Sequence, residues 1–150
     1  MSDINTQTFD TQIIDEFRAN AGKVGGMFEG ANMLLITTTG AKSGRSVTVP
    51  LVYLSDGDRI VLIASDGGGD RHPAWYHNLR ANPEVTVEIG IEKFQAMAHD
   101  IAGPERDRLY AAMVEVQPGF AEYQEGTTRR IPVVAVYRHA TWAFRAAARR

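Results

Sequence analysis

The chain has 150 residues, 44% of them hydrophobic, and contains no cysteine. That length suits one domain with enough core to fold without disulfides or a structural metal, and the missing thiols exclude zinc ribbons, iron–sulfur clusters and thiol catalysis. With 16 Lys and Arg against 18 Asp and Glu, a formal net charge of -2, no global field attracts nucleic acid, so any anion site is local.

In chain order, Asp10 or Thr11 suits the cap of a short amphipathic helix in which Ile13, Ile14 and Phe17 recur at helical spacing. Gly22, Gly25 and Gly26 then break regularity, making residues 22–31 either a plain linker or a cover over a pocket. Residues 33–38, 46–54, 59–64, 85–89, 94–99 and 131–138 are rich in β-branched and aliphatic side chains and read as six strands. The turn Ser55-Asp56-Gly57-Asp58 predicts that the second and third strands form an antiparallel hairpin, because parallel pairing needs a long crossover. Gly90-Ile91-Glu92-Lys93 joins the fourth and fifth in the same way, and Pro50 marks an edge or a bulge. Two helices interrupt the strands. One covers residues 73–80, opened by Pro73 and stopped by Asn82-Pro83. The other covers residues 104–116, presents Leu109, Ala112, Met113 and Val116 on one side, and ends before Pro118-Gly119. The fold expected is α+β, an antiparallel barrel of about six strands with flanking helices, in one domain over residues 1–150 whose residues 1–25 form the N-terminal helix and linker.

The longest apolar runs, residues 33–36 and 131–137, fall far short of the roughly 20 residues that span a bilayer. The start Met1-Ser2-Asp3 lacks the charged and apolar regions of an export signal, so the cytoplasm is the expected location. Met27, Phe28 and the N-terminal helix are the points for peripheral membrane contact if the substrate is a lipid.

Three segments are candidates to carry chemistry, the third being Gln117-Pro118-Gly119-Phe120-Ala121-Glu122-Tyr123-Gln124. Thr37-Thr38-Thr39-Gly40-Ala41-Lys42-Ser43-Gly44-Arg45 gathers hydroxyls, glycines and two cations between strands, a composition suited to an anion or to a solvated turn. It lacks the spacing and following helix of a nucleoside triphosphate loop. The run from Ala64-Ser65-Asp66-Gly67-Gly68-Gly69 through His72-Pro73-Ala74-Trp75-Tyr76-His77-Asn78 leaves a strand, crosses glycines and enters a helix, whose N-terminus suits a phosphate or a ring carbonyl. The three glycines would let a planar ligand approach the backbone, and Trp75 is either core or a ligand contact. His72 and His77 are five apart, about 140° around a helix, which argues against a shared metal. Ser65 lacks the pattern of a nucleophile elbow. The carboxylates Glu115, Glu122 and Glu125 read as solvated. Phe120 and Tyr123, three apart, either seal the barrel or wall a substrate pocket.

In this order these segments, together with Pro118-Gly119-Phe120, Tyr123-Gln124 and Arg130-Ile131-Pro132-Val133-Val134, resemble the deazaflavin-dependent nitroreductase family of the split β-barrel flavin-binding proteins, over about residues 26–137. The resemblance implies a split barrel that binds coenzyme F-420, an 8-hydroxy-5-deazaflavin with an anionic phosphate tail. It implies that Lys42, Ser43 and Arg45 hold the phosphate, and that the ring lies against Pro50, Leu51, Val52, Ala64, Ser65, Gly67 and Gly68, with Pro73, Trp75 and Asn78 completing the wall. Arg71 and His72 are expected to meet remaining negative charge, and Asp66, in place of a residue that is sometimes basic, to weaken tail binding. The implied reaction is hydride transfer from C5 of the reduced coenzyme to a small electron-poor acceptor, a quinone, enone or nitro compound. Ser65 and Tyr123 are the expected catalytic donors to the acceptor oxygen, and Phe120 and Tyr123 its pocket. Some nitroreducing members carry extra tyrosines near Gln117 and Phe120, which makes quinone reduction the expectation for this chain. An FMN-dependent split-barrel reductase or oxidase and a non-catalytic deazaflavin carrier are the rival readings, and the assembly expected is a monomer or a homodimer.

Overall fold

Seven strands, rather than six, form one sheet in the computed structural model, which describes residues 2–139, with side chains from Phe9 onward. Residue 1 and residues 140–150 of the expected unit lie outside the described residues. The strands are β1 (Met33–Thr39), β2 (Ser46–Val52), β3 (Leu54–Asp56), β4 (Arg59–Ile63), β5 (Glu84–Ile89), β6 (Glu92–Ile101) and β7 (Val133–Arg138). All pairings are antiparallel and the order is β2-β1-β5-β6-β7-β4-β3.

The additional strand arises from the segment expected to run unbroken over residues 46–54. Its first seven residues pair with β1, from Thr39↔Ser46 to Met33↔Val52. After Tyr53 the chain changes partner, and β3 pairs with β4 through Leu54↔Val61, Ser55↔Ile60 and Asp56↔Arg59. The expected hairpin therefore exists only over these three pairs, closed by Gly57 at φ 63 and Asp58. Alternation of side chains is continuous through Tyr53 and carries no sign of which neighbour a strand will pair with. Because β2 and β3 occupy opposite ends of the sheet order yet are joined by one residue, the sheet must curl until its edges nearly meet, giving a half-barrel. Pro50 sits on edge strand β2, where its missing N–H leaves no unpaired partner.

Both faces of the sheet are covered. Leu34, Ile36, Leu62, Val87, Val134 and Val136 point to one side and pack on α2 (Ala74–Ala81) through Trp75, Tyr76 and Leu79. The alternate residues Val61, Ile63 and Val133 meet Leu109, Tyr110 and Met113 of α3 (Gly103–Val116), while Met33 and Leu35 meet Ile13 and Phe17 of α1 (Ser2–Ala19). Burial on two sides is why β1 opens with an uninterrupted apolar run. The short α4 (Gly119–Glu125) follows α3.

Three helix expectations change in detail. α1 begins at Ser2, so Asp10 and Thr11 lie inside it rather than at its cap. Pro73 is the residue before α2, extended at ψ 155. The buried side of α3 is Arg106, Leu109, Tyr110 and Met113, and Val116 is 57% exposed. Arg106 belongs there because its Nε and Nη2 donate to the Ile131 carbonyl at 3.1 and 2.7 Å, and Tyr110 Oη donates to the Phe120 carbonyl at 2.5 Å. No described helix is long and apolar enough to cross a membrane.

An ion network pins α3 to the β3–β4 hairpin. Arg59 contacts both Asp56, at 2.8 Å, and Glu105, while Arg108 reaches Glu105 at 2.8 Å and Asp56 at 3.4 Å. Hydrogen bonds from Arg108 and then Arg59 pull the Glu105 carboxyl from its ordinary 4.5 to about 2. A depressed folded-state value stabilises above the unfolded value and is lost as pH falls through the folded one. The thermal midpoint should therefore decline as pH drops from above 4.5 toward about 2. Glu105→Gln should flatten part of that decline and lower the midpoint at neutral pH; an unchanged acid profile in the variant would remove Glu105 as a contributor.

Candidate active site

Two cavities open on one side of the half-barrel. The larger, about 670 Å³, lies between edge strand β2 and the loop that leaves β4, with α1 and α4 at its rim. The smaller, about 590 Å³, lies between the turn after β1 and α2. Val47 and Ala74 line both, so the two spaces adjoin.

The turn at the far end is built tightly. Gly40 N–H donates to the Arg45 carbonyl at 2.7 Å, and Gly44 N–H to the Gly40 carbonyl at 3.0 Å. A Cβ on Gly40 would lie 2.4 Å from Ser43 Oγ and 3.3 Å from the Arg45 carbonyl, so a side chain there would displace the Ser43 hydroxyl. Asn78, buried on α2, accepts from Ala41 N–H at 2.9 Å and donates to Thr38 Oγ1 at 3.1 Å, which fixes the turn to the helix. Ser43 Oγ accepts from Arg45 N–H at 3.1 Å and keeps its own proton to donate. Lys42 and Arg45 are exposed and form no salt bridge with a described carboxylate. No side chain caps α2, whose first turn begins at Ala74 where the cavities join. Cations without partners, a free hydroxyl proton and uncapped amides together make an anion-accepting end.

At the near end, Asp66, Gly67 and Gly68 take φ values of 49, 62 and 85, a short left-handed turn in which only Asp66 bears the strain of a side chain. Arg129 holds this loop from behind. Its Nε donates to the Gly69 carbonyl at 2.8 Å, Nη1 to the Ala64 carbonyl at 3.2 Å and Nη2 to the Ser65 carbonyl at 2.7 Å. Burial, together with the positive charge of Arg129, pushes the His72 imidazole below its ordinary value. Burial also raises the Asp10 carboxyl at the rim. No pattern in the sequence marks Arg129, which reads there as one more surface cation before the last strand.

The structure distributes the expected site residues as follows. Pro50, Leu51, Val52, Ser65, Gly67, Arg71, His72, Pro73, Trp75, Phe120 and Tyr123 line the larger cavity. Lys42, Ser43 and Asn78 line the smaller one, where Asn78 also holds the turn. Arg45 lines neither cavity and stands exposed on the turn. Ala64 shows no surface and contributes only its carbonyl, through Arg129. Gly68 lies outside the cleft lining: a Cβ there would be 3.2 Å from Tyr123 Cα, so this glycine lets α4 approach the loop. The hydroxyls of Thr37 and Thr38 are occupied by Thr48, at 2.7 Å, and Asn78. His72 precedes α2, so helical spacing does not separate it from His77, and their rings stand 5.9 Å apart. Among the described residues no group of three or more metal-ligating side chains comes together. Tyr123 meets Phe120 edge to face at 5.1 Å, both half-buried at the mouth.

The contact between Gly68 and Tyr123 sets an expectation. Gly68→Ala combines a strained positive φ with a crowded Cβ and should destabilise the protein by about 1–3 kcal/mol, displacing Tyr123. Gly67→Ala meets the same backbone strain in open space. Chemical denaturation of the pair, with Tyr123 side-chain shifts as reporter, separates strain from crowding; equal Tyr123 shifts in both would refute the packing role.

The likeness of this chain to known proteins agrees with these features. Residues 11–138 match the model of the F420H(2)-dependent quinone reductase family. The F420H(2)-dependent quinone reductase Rv1261c of Mycobacterium tuberculosis (strain ATCC 25618 / H37Rv) is 39% identical over 126 residues, which are 81% of this chain and 85% of that protein. A solved F420-H2 dependent reductase, FDR-A, superposes with a TM-score of 0.65 at 42% identity, covering 70% of this chain and 93% of its own. Another solved chain, described as a domain-swapped dimer, superposes with a TM-score of 0.67 at 38% identity, covering 84% and 92%. The match spans the anion-accepting turn, the glycine loop and the aromatic mouth alike, and the chain belongs to the F420H(2)-dependent quinone reductase family of deazaflavin-dependent oxidoreductases.

Proposed function

We propose that this chain reduces a quinone with a hydride drawn from reduced coenzyme F-420 bound along the two adjoining cavities. The observation that carries the reading is their junction at Val47 and Ala74, with unpaired cations at one end and hydroxyl donors at the other. When bound, the reduced deazaflavin supplies the hydride.

The residues present fit that group. Lys42 and Arg45 supply charge and Ser43 a hydroxyl for a phosphate, beside the uncapped first turn of α2. Pro50, Leu51 and Val52 on one side, with Gly67 and Trp75 on the other, make a largely apolar slot in which a flat ring is desolvated. A Cβ on Gly67 would meet nothing within 4 Å, so the missing side chain leaves room beside the backbone. Phe120 and Tyr123 close the mouth over the acceptor. Ser65 lines the slot with a hydroxyl that no described residue engages, and together with Tyr123 Oη it offers hydrogen bonds to a quinone oxygen as that oxygen gains negative charge. The proton that completes the reduction comes from solvent, directly or relayed through these hydroxyls, which solvent then reprotonates. A homodimer is the assembly this reading favours, supported by the likeness to a domain-swapped chain. A cytoplasmic location goes with it, as does contact with a lipid quinone at the exposed Met27 and rim-lining Phe28.

Fluorescence titration with oxidised F-420 and, separately, FMN tests the binding half of the proposal. F-420 should bind, and Lys42→Ala and Arg45→Ala should each weaken it by about 1.5–3 kcal/mol, roughly tenfold or more. FMN binding without F-420 binding would transfer the protein to the FMN rival. Acceptor-dependent oxidation of the reduced coenzyme tests the catalytic half, since a carrier would bind without it. Tyr123→Phe should lower kcat while leaving coenzyme affinity within about twofold; unaltered turnover would end the donor role of Tyr123.

A further inference from the structure

Arg129 makes a fourth contact in addition to the three carbonyls it holds: its Nη1 lies 2.8 Å from His72 Nδ1. Guanidinium stays protonated and has only donors, so a contact of this length requires a lone pair on Nδ1. The imidazole is then neutral with its proton on Nε2. The surroundings agree. Arg129, His77 and Arg80 all oppose a second proton on His72, and of the groups facing it only Asp100 favours one. Asp100 already accepts from Tyr76 Oη at 2.8 Å, and the Tyr76 ring stands edge-on to His72 at 5.1 Å. His72 lines the larger cavity, and no described residue accepts a hydrogen bond from its Nε2.

We propose that His72 is a neutral donor through Nε2–H to a carbonyl oxygen of the ligand in the cleft, with Arg129 as the positioning residue that fixes its tautomer and anchors the glycine loop. A neutral N–H contributes little to holding a phosphate but recognises a carbonyl, and its hydrogen bond strengthens as that oxygen gains charge during reduction. This assignment replaces the expectation that His72 offsets negative charge, and it rests on the reading that a ring-bearing ligand occupies the cleft.

The test has two arms. The first is a long-range proton–nitrogen correlation spectrum of the full 15N-labelled chain, in which His72 is one of 4 histidines and is assigned by its loss in His72→Gln. The expected pattern is that of a neutral Nε2–H tautomer at pH 7, persisting as pH falls past the ordinary imidazole value of 6.5. In Arg129→Gln it should give way to mixed tautomers that titrate nearer that value. An imidazolium or an Nδ1–H tautomer in the wild-type protein at neutral pH overturns the proposal. This arm requires no coenzyme, so failed F-420 binding with the tautomer intact would strike the functional reading and leave the His72 tautomer and the Arg129 positioning role in place. The second arm measures reduction of a soluble quinone by reduced F-420. His72→Leu should lose about tenfold in kcat/KM, and His72→Gln, which keeps an N–H donor, should recover most of it. Turnover of a folded His72→Leu equal to wild type, or no difference between Leu and Gln, overturns the donor role; if His72→Leu does not fold, the comparison of His72→Gln with wild type and the wild-type spectrum decide.

Discussion

The one-residue link at Tyr53 is the constraint on which the rest of the molecule depends. It joins the two strands at opposite ends of the sheet, so the sheet has to bend until they approach. The β3–β4 register, ending at Leu54↔Val61, would continue to Val52 beside Ile63 and Pro50 beside Ser65. Those pairs do not form: β2 stays with β1, and Pro50 has no N–H to offer a second neighbour. The barrel is thus split along the line where Pro50, Val52, Ile63 and Ser65 face the larger cavity. The cleft is a region of unmade sheet whose walls are still held by made sheet on either side.

Much of this was legible in the sequence because it follows from local rules. Glycine, proline and β-branched positions place most strands and both interrupting helices within a few residues, the start of α1 excepted, and the cations of the 40–45 turn and the glycines of the 66–69 loop mark both ends of the proposed site. What escaped was set by contacts across the fold. The strand break at Tyr53 depends on a change of partner that alternation does not encode. The close approach of α4 to Gly68 and the hydrogen bonds of the Asn78 amide to Ala41 and Thr38 join segments far apart in the chain, and no local pattern signals them. Arg129 is 60 residues from the Gly69 carbonyl it holds, beyond the reach of any spacing argument.

Charge is divided along the site in a way that matches this geometry. At the 40–45 turn the cations face solvent and pair with no described carboxylate, so they are available to a ligand. Behind the glycine loop the guanidinium of Arg129 is consumed by three carbonyls and an imidazole nitrogen, so its effect on the cleft is exerted through backbone placement and the tautomer of His72. With the Arg129 cation spent on the scaffold, the charged side chains that line the larger cavity are Asp10, Asp66 and Arg71. On the proposed reading the slot accepts an uncharged quinone, while affinity for an anionic coenzyme comes from the far end.

On the proposed reading one ligand occupies both cavities in a single orientation, and a crystal structure with oxidised F-420 decides whether it does. The expected complex has the phosphate against Lys42, Ser43 and Arg45, and the tricyclic ring in the split between Pro50–Val52 and Gly67, with the mouth at Tyr123 left for the acceptor. A ring seated outside that split, or a phosphate held by Arg71 with the 40–45 turn vacant, would contradict it.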